Sequence, residues 1–355
     1  MTTESSTENS TSSHLSDVIT TTGVAQITSE NTVTSSSPRG IEFYFQCAVL
    51  VIGVLGTAAN AFILYALAAS KQHKTHLLIV HQNALDLFAS FFMTVTYIIR
   101  LCNLNLSGSV GYWLCTMILT ECLSWWGTFA SAINLAIITV ERYLRVVYPV
   151  CSKSRLRNWM IYSAMATAWI VSFISNVVVA FPTSGVIDGV CYAYTIWNNK
   201  TTSMFYYVYN FLSFYVIILF IFVFCYWRIL VAIRRLARVA ASQAAEGLSA
   251  AQNQLNQIES SVTKTMIIVS ACYAISWLPS YIHFLTLTLH PYPLPFDGIY
   301  YATVLLAYSY LFTNPLIYAT NLDPVNEVLL SLIPCQMIYE EADDNVAAPM
   351  ELQVA

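Results

Sequence analysis

Hydrophobic residues are concentrated in seven long stretches, and the polar segments between them are mostly short. Each stretch is close to or above the roughly 20 residues that a helix needs to cross about 30 Å of hydrocarbon. None has the compensating polar face of a helix from a soluble protein, so we predict an all-α membrane protein, a seven-transmembrane helix bundle. The predicted spans are residues 43–69, 77–101, 112–143, 159–181, 205–230, 262–289 and 298–320.

The segments that flank the bundle differ from it in composition. Of the first 37 residues, 20 are Ser or Thr, too polar to bury a core, so residues 1–40 are predicted to form a disordered extracellular tail. Residues 41–321 form the seven-transmembrane domain. We expect a short amphipathic cytoplasmic helix at 322–335 and an acidic cytoplasmic tail at 336–355. Cys335 suits palmitoylation, because it would lie beside the membrane surface in the cytosol.

Composition and charge agree with a membrane protein and indicate its orientation. The chain is 57% hydrophobic and 10% charged, whereas soluble domains carry about 25% charged residues. Of its 15 Lys and Arg residues, 12 lie in the segments that follow the first, third and fifth spans or at the span ends that border these segments. The positive-inside rule then places the amino terminus outside and the carboxyl terminus in the cytosol. We therefore expect a multi-pass plasma-membrane protein whose surroundings are lipid, with no nucleic-acid partner.

Three N-x-S/T sequons support the same orientation. They begin at Asn9, Asn105 and Asn199, and all three fall in segments assigned to the outside, where N-glycosylation occurs. One such motif is common by chance, but three on one side of the membrane are not.

Two of the nine cysteines face the oxidising side of the membrane at useful positions. Cys115 begins the third span and Cys191 lies in the second outer loop, so we predict a disulfide between them. Cys102, near the same boundary, is the competing partner for either residue.

Polar residues inside predicted spans indicate a second site. Asp86 lies in the second span, and Asn60, Ser131 and Asn314 lie in the first, third and seventh. A buried carboxylate needs partners. Two interpretations stay open at this point, a hydrogen-bond network that joins helices and a Na⁺ site, since oxygen ligands suit hard cations.

Charged residues at the cytoplasmic ends of two spans indicate a clamp. Arg142 follows Glu141 at the end of the third span. Glu259 lies 20 residues before Pro279, which places it about 30 Å away, at the cytoplasmic end of the sixth helix. An Arg142–Glu259 pair would hold the two helices together, whereas a solvated Glu259 would contribute little. Pro279 and Pro315 each remove a helical hydrogen bond and are candidate hinges.

These motifs, taken in order, resemble the rhodopsin-like (class A) family of G-protein-coupled receptors over residues 41–335. The resemblance rests on Asn60, on "NALDLF" with Asp86, on Cys115 with Cys191, and on "ERY" at 141–143 followed by Pro149. It also rests on Trp169, on "SWLP" at 276–279 and on "NPLIY" at 314–318.

The resemblance implies a receptor that activates a heterotrimeric G protein through movement of the cytoplasmic ends of helices 5 to 7. Arg142 would be restrained at rest and would face the G protein when active, together with Pro149 and Val150. Asp86 and Ser131 match the family's sodium site, so the ion becomes the favoured interpretation. The predicted activation switch comprises Glu141, Arg142, Tyr143, Tyr226, Glu259, Asn314, Pro315 and Tyr318.

The chain also departs from the family pattern. From Cys115 to Arg142 is 27 positions, about two more than usual, so the register of the third helix is open. The fifth span has no proline near Ile218, and Tyr273 stands where the sixth helix usually has Phe. Arg145 replaces a small residue after the triplet.

The ligand is constrained by what the spans lack. The seventh span contains no Lys for retinal, with Tyr308 at the matching position, and the third contains no Asp for a biogenic amine. Aromatic residues around the acid Glu121 suit a neuropeptide-like ligand; the alternative is an amine or other small-molecule ligand, and Tyr206 and Tyr207 belong to the rim. The predicted pocket comprises Glu121, Trp125, Trp277, Ser280, Tyr281, Phe284 and Tyr308.

Other classes of protein fit less well. A transporter would show internal repeats, and a membrane enzyme would show clustered catalytic groups; neither pattern is present in the sequence. After Leu322 the chain contains only Ser331 as a phosphorylation site, so we expect weak arrestin recruitment by the tail.

Overall fold

The computed structural model describes most of the bundle. The described residues are 38–71, 77–149, 152, 157–243, 250–289, 297–321, 325 and 328. Seven helical spans run through them, and the order of the spans follows the prediction. The uninterrupted spans are span 1 (Pro38–Ala69), span 2 (Leu77–Leu101), span 4 (Asn158–Thr183), span 6 (Ala250–Leu289) and span 7 (Asp297–Asn321).

Six of the spans are long and apolar enough to cross a membrane, judged by length and composition among the described residues. Span 7 has sufficient length at 25 residues, but its five tyrosines and two asparagines lower its hydropathy. Large side chains such as Phe220 and Ile275 are about two thirds exposed on the outside of the bundle. Exposed apolar surface of this extent is expected where a protein faces lipid.

Span 3 is interrupted near its start. It consists of a helix at Gly108–Leu114, a π-helical turn at Cys115–Leu119 and a long helix at Cys122–Val147. Between them Glu121 has a left-handed backbone, with φ 61°. A π-turn takes up an extra residue, so the surplus residues between Cys115 and Arg142 are accommodated here. The predicted third span, 112–143, is therefore present but is not one regular helix.

Span 5 is interrupted in a similar way, without proline. Its helices Lys200–Phe211 and Ile217–Gln243 are joined by a π-helical turn at Leu212–Val216. Two tyrosines connect this turn to span 6. The Tyr273 hydroxyl donates to the Phe214 carbonyl, and the Tyr215 hydroxyl donates to the Ala274 carbonyl at 3.0 Å. The π-turn of the proline-free span 5 is therefore bonded to Tyr273, the residue that stands where the sixth helix usually has Phe.

A short β-hairpin lies in the loop between spans 4 and 5 of the otherwise helical fold. Strands β1 (Gly185–Ile187) and β2 (Val190–Tyr192) pair antiparallel, with Val186 opposite Cys191. Asp188 and Gly189 both have positive φ, as a two-residue hairpin turn requires. We call the end of the bundle that carries this hairpin the hairpin end, and the opposite end, which carries residues 141–143, the triplet end.

The predicted disulfide is confirmed. Cys115 and Cys191 are bonded, with their Cα atoms 5.4 Å apart, and Cys102 is a free, exposed cysteine. The bond attaches β2 to the π-turn of span 3. It therefore holds the hairpin over the hairpin end of the bundle.

Close approach of spans 2 and 3 depends on a glycine. A Cβ atom at Gly127 would lie 2.8 Å from the Phe88 ring and 3.0 Å from the Ala89 side chain. Small residues at such crossings allow helices to pack backbone to backbone in a membrane. This packing brings Asp86 on span 2 and Ser131 on span 3 within reach of each other.

Candidate functional site

A cavity of about 500 Å³ opens at the hairpin end of the bundle. All seven spans contribute to its lining, and residues of β2 form part of its wall. Its size is within the range of small-molecule and peptide-anchor sites. All seven predicted pocket residues line it: Glu121, Trp125, Trp277, Ser280, Tyr281, Phe284 and Tyr308.

Tyrosine dominates the wall of this cavity. Among the described residues nine tyrosines line it, and the charged ones are Glu42, Arg100 and Glu121. Ring faces carry negative electrostatic potential and attract cations, and the two acids outnumber the one base. The cavity therefore favours a ligand with a cationic group and aromatic surface. The lining tyrosines are Tyr97, Tyr192, Tyr194, Tyr206, Tyr207, Tyr281, Tyr300, Tyr301 and Tyr308.

Glu121 lies buried at the break in span 3, where its left-handed backbone turns the side chain toward spans 2 and 7. Its Oε1 accepts a hydrogen bond from the Tyr97 hydroxyl at 3.0 Å, and its Oε2 accepts one from the Tyr308 hydroxyl. The Arg100 Nη2 lies 2.9 Å from Oε1. A carboxylate this deeply buried needs such partners. Glu121 therefore connects spans 2, 3 and 7.

Arg100 is held as firmly as the acid. Its Nη2 also donates to the Leu119 carbonyl at 2.7 Å, one of the backbone oxygens at the π-turn, and its guanidinium lies 4.8 Å from the centre of the Tyr97 ring. Arg100 is not among the site residues predicted from the sequence. The signal that could have found it is the spacing of Tyr97 and Arg100, which puts both on one face of span 2.

Aromatic rings form the floor of the cavity. The Trp125 ring centre lies 5.9 Å from that of Trp277 and 5.8 Å from that of Tyr308. Tyr281 lies 5.9 Å from Trp277 on the other side. Trp277, on span 6 two residues before Pro279, is buried. A ligand on the floor would contact spans 3, 6 and 7 together.

A polar cluster around Asp86 lies below the aromatic floor. Asp86 Oδ1 accepts from the Ser131 hydroxyl at 2.5 Å, and Oδ2 accepts from the Asn314 amide at 3.0 Å. Gln82, which the sequence analysis did not single out, donates to Oδ2 at 3.3 Å and also to the Ser131 hydroxyl. Asn60 takes no part in these bonds, since its amide donates to the carbonyls of Gly56 and Leu311.

The groups around Asp86 can be compared with the ligands that the predicted Na⁺ would need. Sodium is held by oxygen ligands, but the groups around the carboxylate of Asp86 are an O–H and two amide N–H donors. Asn60 Oδ1 and Asn314 Oδ1 have no hydrogen-bond partner among the described protein groups. The Asn60 amide is bonded to backbone carbonyls and not to Asp86, and Asn314 presents its nitrogen to the carboxylate. The donor set therefore does not fit the ion.

The triplet end holds the predicted switch residues near each other. Arg142 Nε lies 3.1 Å from Glu141 Oε2, and the Arg145 Nε donates to Glu141 Oε1. Glu141 is buried, with 6% of its surface exposed. One buried carboxylate therefore forms ion pairs with two arginines. Arg145, which sequence reasoning left without a partner, is the second of them. The side chain of Glu259 lies outside the described part of the structure, as does Val150.

The tyrosines of the predicted switch have contacts of their own. The Tyr226 hydroxyl lies 3.0 Å from Thr139 and 2.8 Å from Ser270, which joins spans 3, 5 and 6. Tyr318 is fully buried. Tyr143 packs edge-on against Tyr148. Asn314 and Pro315 lie in span 7, and Pro149 is exposed at the end of the triplet segment.

Two of the predicted modification sites lie among the described residues, and two lie outside them. Asn105 and Asn199 are exposed at the hairpin end, and the Asn199 side-chain oxygen caps span 5 by accepting from the Thr202 amide at 2.8 Å. Asn9 and Cys335 lie outside the described residues. So do the predicted amphipathic helix at 322–335, apart from two positions, and the acidic tail.

The fold and its two sites, a cavity at one end and a charged triplet at the other, define a seven-helix membrane receptor. The sequence profile described as "7 transmembrane receptor (rhodopsin family)" matches residues 59–318. The chain belongs to that family, which confirms the resemblance seen in the motifs and the assignment as a receptor instead of an enzyme.

Individual relatives are distant. Mouse (Mus musculus) somatostatin receptor type 3 is 24% identical over 284 residues, 76% of this chain and 63% of that protein. Rat (Rattus norvegicus) melanin-concentrating hormone receptor 1 is 24% identical over 282 residues, 75% of this chain and 74% of that protein. The chain thus spans less than two thirds of the length of the somatostatin receptor. Squid rhodopsin shares the fold, with a TM-score of 0.68 at 17% identity, covering 90% of this chain and 95% of that one.

Proposed function

We propose that this chain is a plasma-membrane receptor that binds an extracellular peptide-like ligand and activates a heterotrimeric G protein. The observation that carries the proposal is the tyrosine-lined cavity with Glu121 at its floor. Two relatives, receptors for somatostatin and for melanin-concentrating hormone, support a peptide over a smaller ligand. The hairpin end is then extracellular, with sugars on Asn105 and Asn199.

The ligand's basic group would have to compete with Arg100 for Glu121. Both oxygens of Glu121 are already engaged, by Arg100, Tyr97 and Tyr308. A guanidinium or ammonium group that replaces Arg100 would free the end of span 2 from span 3. Glu42, also on the wall of the cavity, would offer the displaced Arg100 or the ligand a second carboxylate. Binding would therefore alter the contacts between spans 2, 3 and 7.

The response at the triplet end would begin with Arg142. At rest it is paired with Glu141 at 3.1 Å. In the proposed active state the ends of spans 5 to 7 move, and Arg142 together with Pro149 faces the G protein. Tyr226 would then leave Thr139 and Ser270, because these bonds hold spans 3, 5 and 6 together at rest. Span 6 is a candidate to pivot at Pro279, which lies inside it.

A ligand screen tests this proposal. The full-length receptor would be expressed in cells with a promiscuous G protein and exposed to libraries of basic peptides and of small molecules. We expect activation by members of the peptide library, and loss of that response in Arg142→Ala. Activation by small amines alone would contradict the peptide assignment. A response that survives Arg142→Ala would contradict the coupling mechanism.

A further inference from the structure

The buried side chains around Asp86 form a directed chain of hydrogen bonds that ends on the carboxylate. Its members are Trp169, His81, Asn134 and Gln82, on spans 4, 2, 3 and 2 in that order. Three of these four residues are almost completely buried among the described side chains, so protein partners decide how each of them is oriented. We call these four residues the amide relay.

The first link fixes the protonation of His81. The indole N–H of Trp169 lies 3.0 Å from His81 Nε2, and an indole nitrogen can only donate. His81 Nε2 must therefore accept, which places the proton of the neutral ring on Nδ1. A doubly protonated ring would direct two N–H groups at each other across this contact.

The proton on Nδ1 then orients both amides. His81 Nδ1 lies 2.9 Å from Asn134 Oδ1, so Asn134 must present its oxygen to the ring and its nitrogen to the other side. That nitrogen donates to Gln82 Oε1 at 2.8 Å and to the Leu78 carbonyl at 3.1 Å. Gln82 must then turn its nitrogen away from Asn134. The orientation of each amide follows from the donor-only character of Trp169.

The last link delivers an N–H group to the position that a cation would need. Gln82 Nε2 contacts both Asp86 Oδ2 and the hydroxyl oxygen of Ser131. These are the two oxygens that the predicted Na⁺ would share. An amide nitrogen between them offers positive hydrogen atoms where the ion would need oxygen ligands, and the Asn314 nitrogen approaches the same carboxylate oxygen.

We infer that Gln82 takes the place of a sodium ion at Asp86, so that the Asp86 site of this receptor is closed to Na⁺. Gln82 is a positioning residue whose orientation is set from span 4 through the amide relay. The carboxylate is stabilised by hydrogen-bond donors that belong to the chain itself. The stability of the receptor should consequently be indifferent to Na⁺, whichever ligand it binds.

Thermal unfolding of the purified full-length receptor tests this inference without a ligand or a G protein. Melting temperatures are compared in NaCl and in equimolar KCl and choline chloride. We expect the wild type to melt at the same temperature in all three salts. Gln82→Met keeps most of the side-chain volume but removes the amide, and should gain a rise in melting temperature specific to Na⁺. That gain should vanish when Asp86→Asn is added.

Gln46→Met is the matched control, because Gln46 donates to Glu42 on span 1 and not to the Asp86 cluster. It should stay indifferent to Na⁺. Wild-type receptor stabilised by Na⁺ in a manner lost in Asp86→Asn would overturn the inference, and so would a folded Gln82→Met receptor that ignores Na⁺. Should Gln82→Met not fold, the wild-type comparison decides: indifference supports the inference and Na⁺-specific stabilisation overturns it.

Discussion

The Arg100 guanidinium lies 2.9 Å from Glu121 Oε1, and this ion pair joins the last turn of span 2 to the break in span 3. Glu121 adopts a left-handed backbone there, a conformation that costs a non-glycine residue about 1 to 3 kcal/mol. Tyr97 and Tyr308 add hydrogen bonds to the same carboxylate. Side chains of spans 2 and 7 thus hold span 3 in a strained turn at the floor of the cavity.

Replacing either member of this pair should destabilise the receptor. Breaking a buried ion pair costs about 3 to 5 kcal/mol. Because the Arg100 side chain is 29% exposed, we expect about 2 kcal/mol for Glu121→Gln or Arg100→Met. Thermal unfolding of both variants and of the double variant forms a double-mutant cycle. Because each single variant already breaks the pair, we expect the double variant to lose little more stability than either single variant. Fully additive losses would show that the two side chains do not interact.

Loss of the disulfide should affect the hairpin and leave the helices in place. Cys115 and Cys191 are 76 residues apart in the chain, and removing a native disulfide typically costs about 2 to 5 kcal/mol. We expect a paired Cys115→Ser, Cys191→Ser receptor to melt at a lower temperature and to reach the cell surface less often. Cys102→Ser is the control, since Cys102 is free. An equal loss in the control would mean that Cys102 has a role in folding.

The tyrosine contacts between spans 5 and 6 should restrain the receptor at rest. Tyr273→Phe removes the hydroxyl that donates to Phe214 in the π-turn, a loss of about 1 kcal/mol for one hydrogen bond. We expect a slightly lower melting temperature and faster nucleotide exchange on the G protein without ligand. Tyr65→Phe is the control, because Tyr65 is exposed on span 1 and takes no part in the contact between spans 5 and 6. Unchanged nucleotide exchange in Tyr273→Phe would show that this hydrogen bond does not restrain the resting receptor.

Arg145 should weaken the hold of Glu141 on Arg142. Both arginines contact the same buried acid, so a carboxylate shared by two cations attracts each less strongly than it would attract one alone. Arg145→Ala should leave Glu141 to Arg142 and reduce ligand-independent nucleotide exchange. Stability should change by less than about 1 kcal/mol, since the Arg145 side chain is 44% exposed and solvent screens its ion pair. Higher exchange in this variant would indicate that Arg145 restrains the resting state.

The positions of the seven spans could be predicted from sequence, because lipid requires about 20 consecutive apolar residues for each helix. The pocket residues followed from the resemblance, which fixes their spacing on each span. The break at Glu121 could not be predicted in the same way. A glutamate with positive φ carries no local signal, and only the long interval between Cys115 and Arg142 indicated that span 3 had to accommodate extra residues.

The partners of buried charges were also hard to predict. Arg100 and Glu121 are 21 positions apart in the chain, and the break in span 3 determines whether they meet. Gln82 is four residues before Asp86 and shares its helix face, so a search for polar neighbours one turn away would have found it. The resemblance drew attention instead to Asn60, which bonds to backbone carbonyls and not to Asp86.

Nucleotide exchange on purified components shows whether a ligand in the tyrosine-lined cavity drives Arg142 to activate a G protein. The receptor would be reconstituted with a heterotrimeric G protein and with a peptide identified by the cellular screen. We expect the peptide to speed exchange with the wild type. With Arg142→Ala we expect unchanged peptide binding and no faster exchange. Peptide binding that leaves exchange on the wild type unchanged across the G-protein families would contradict this mechanism.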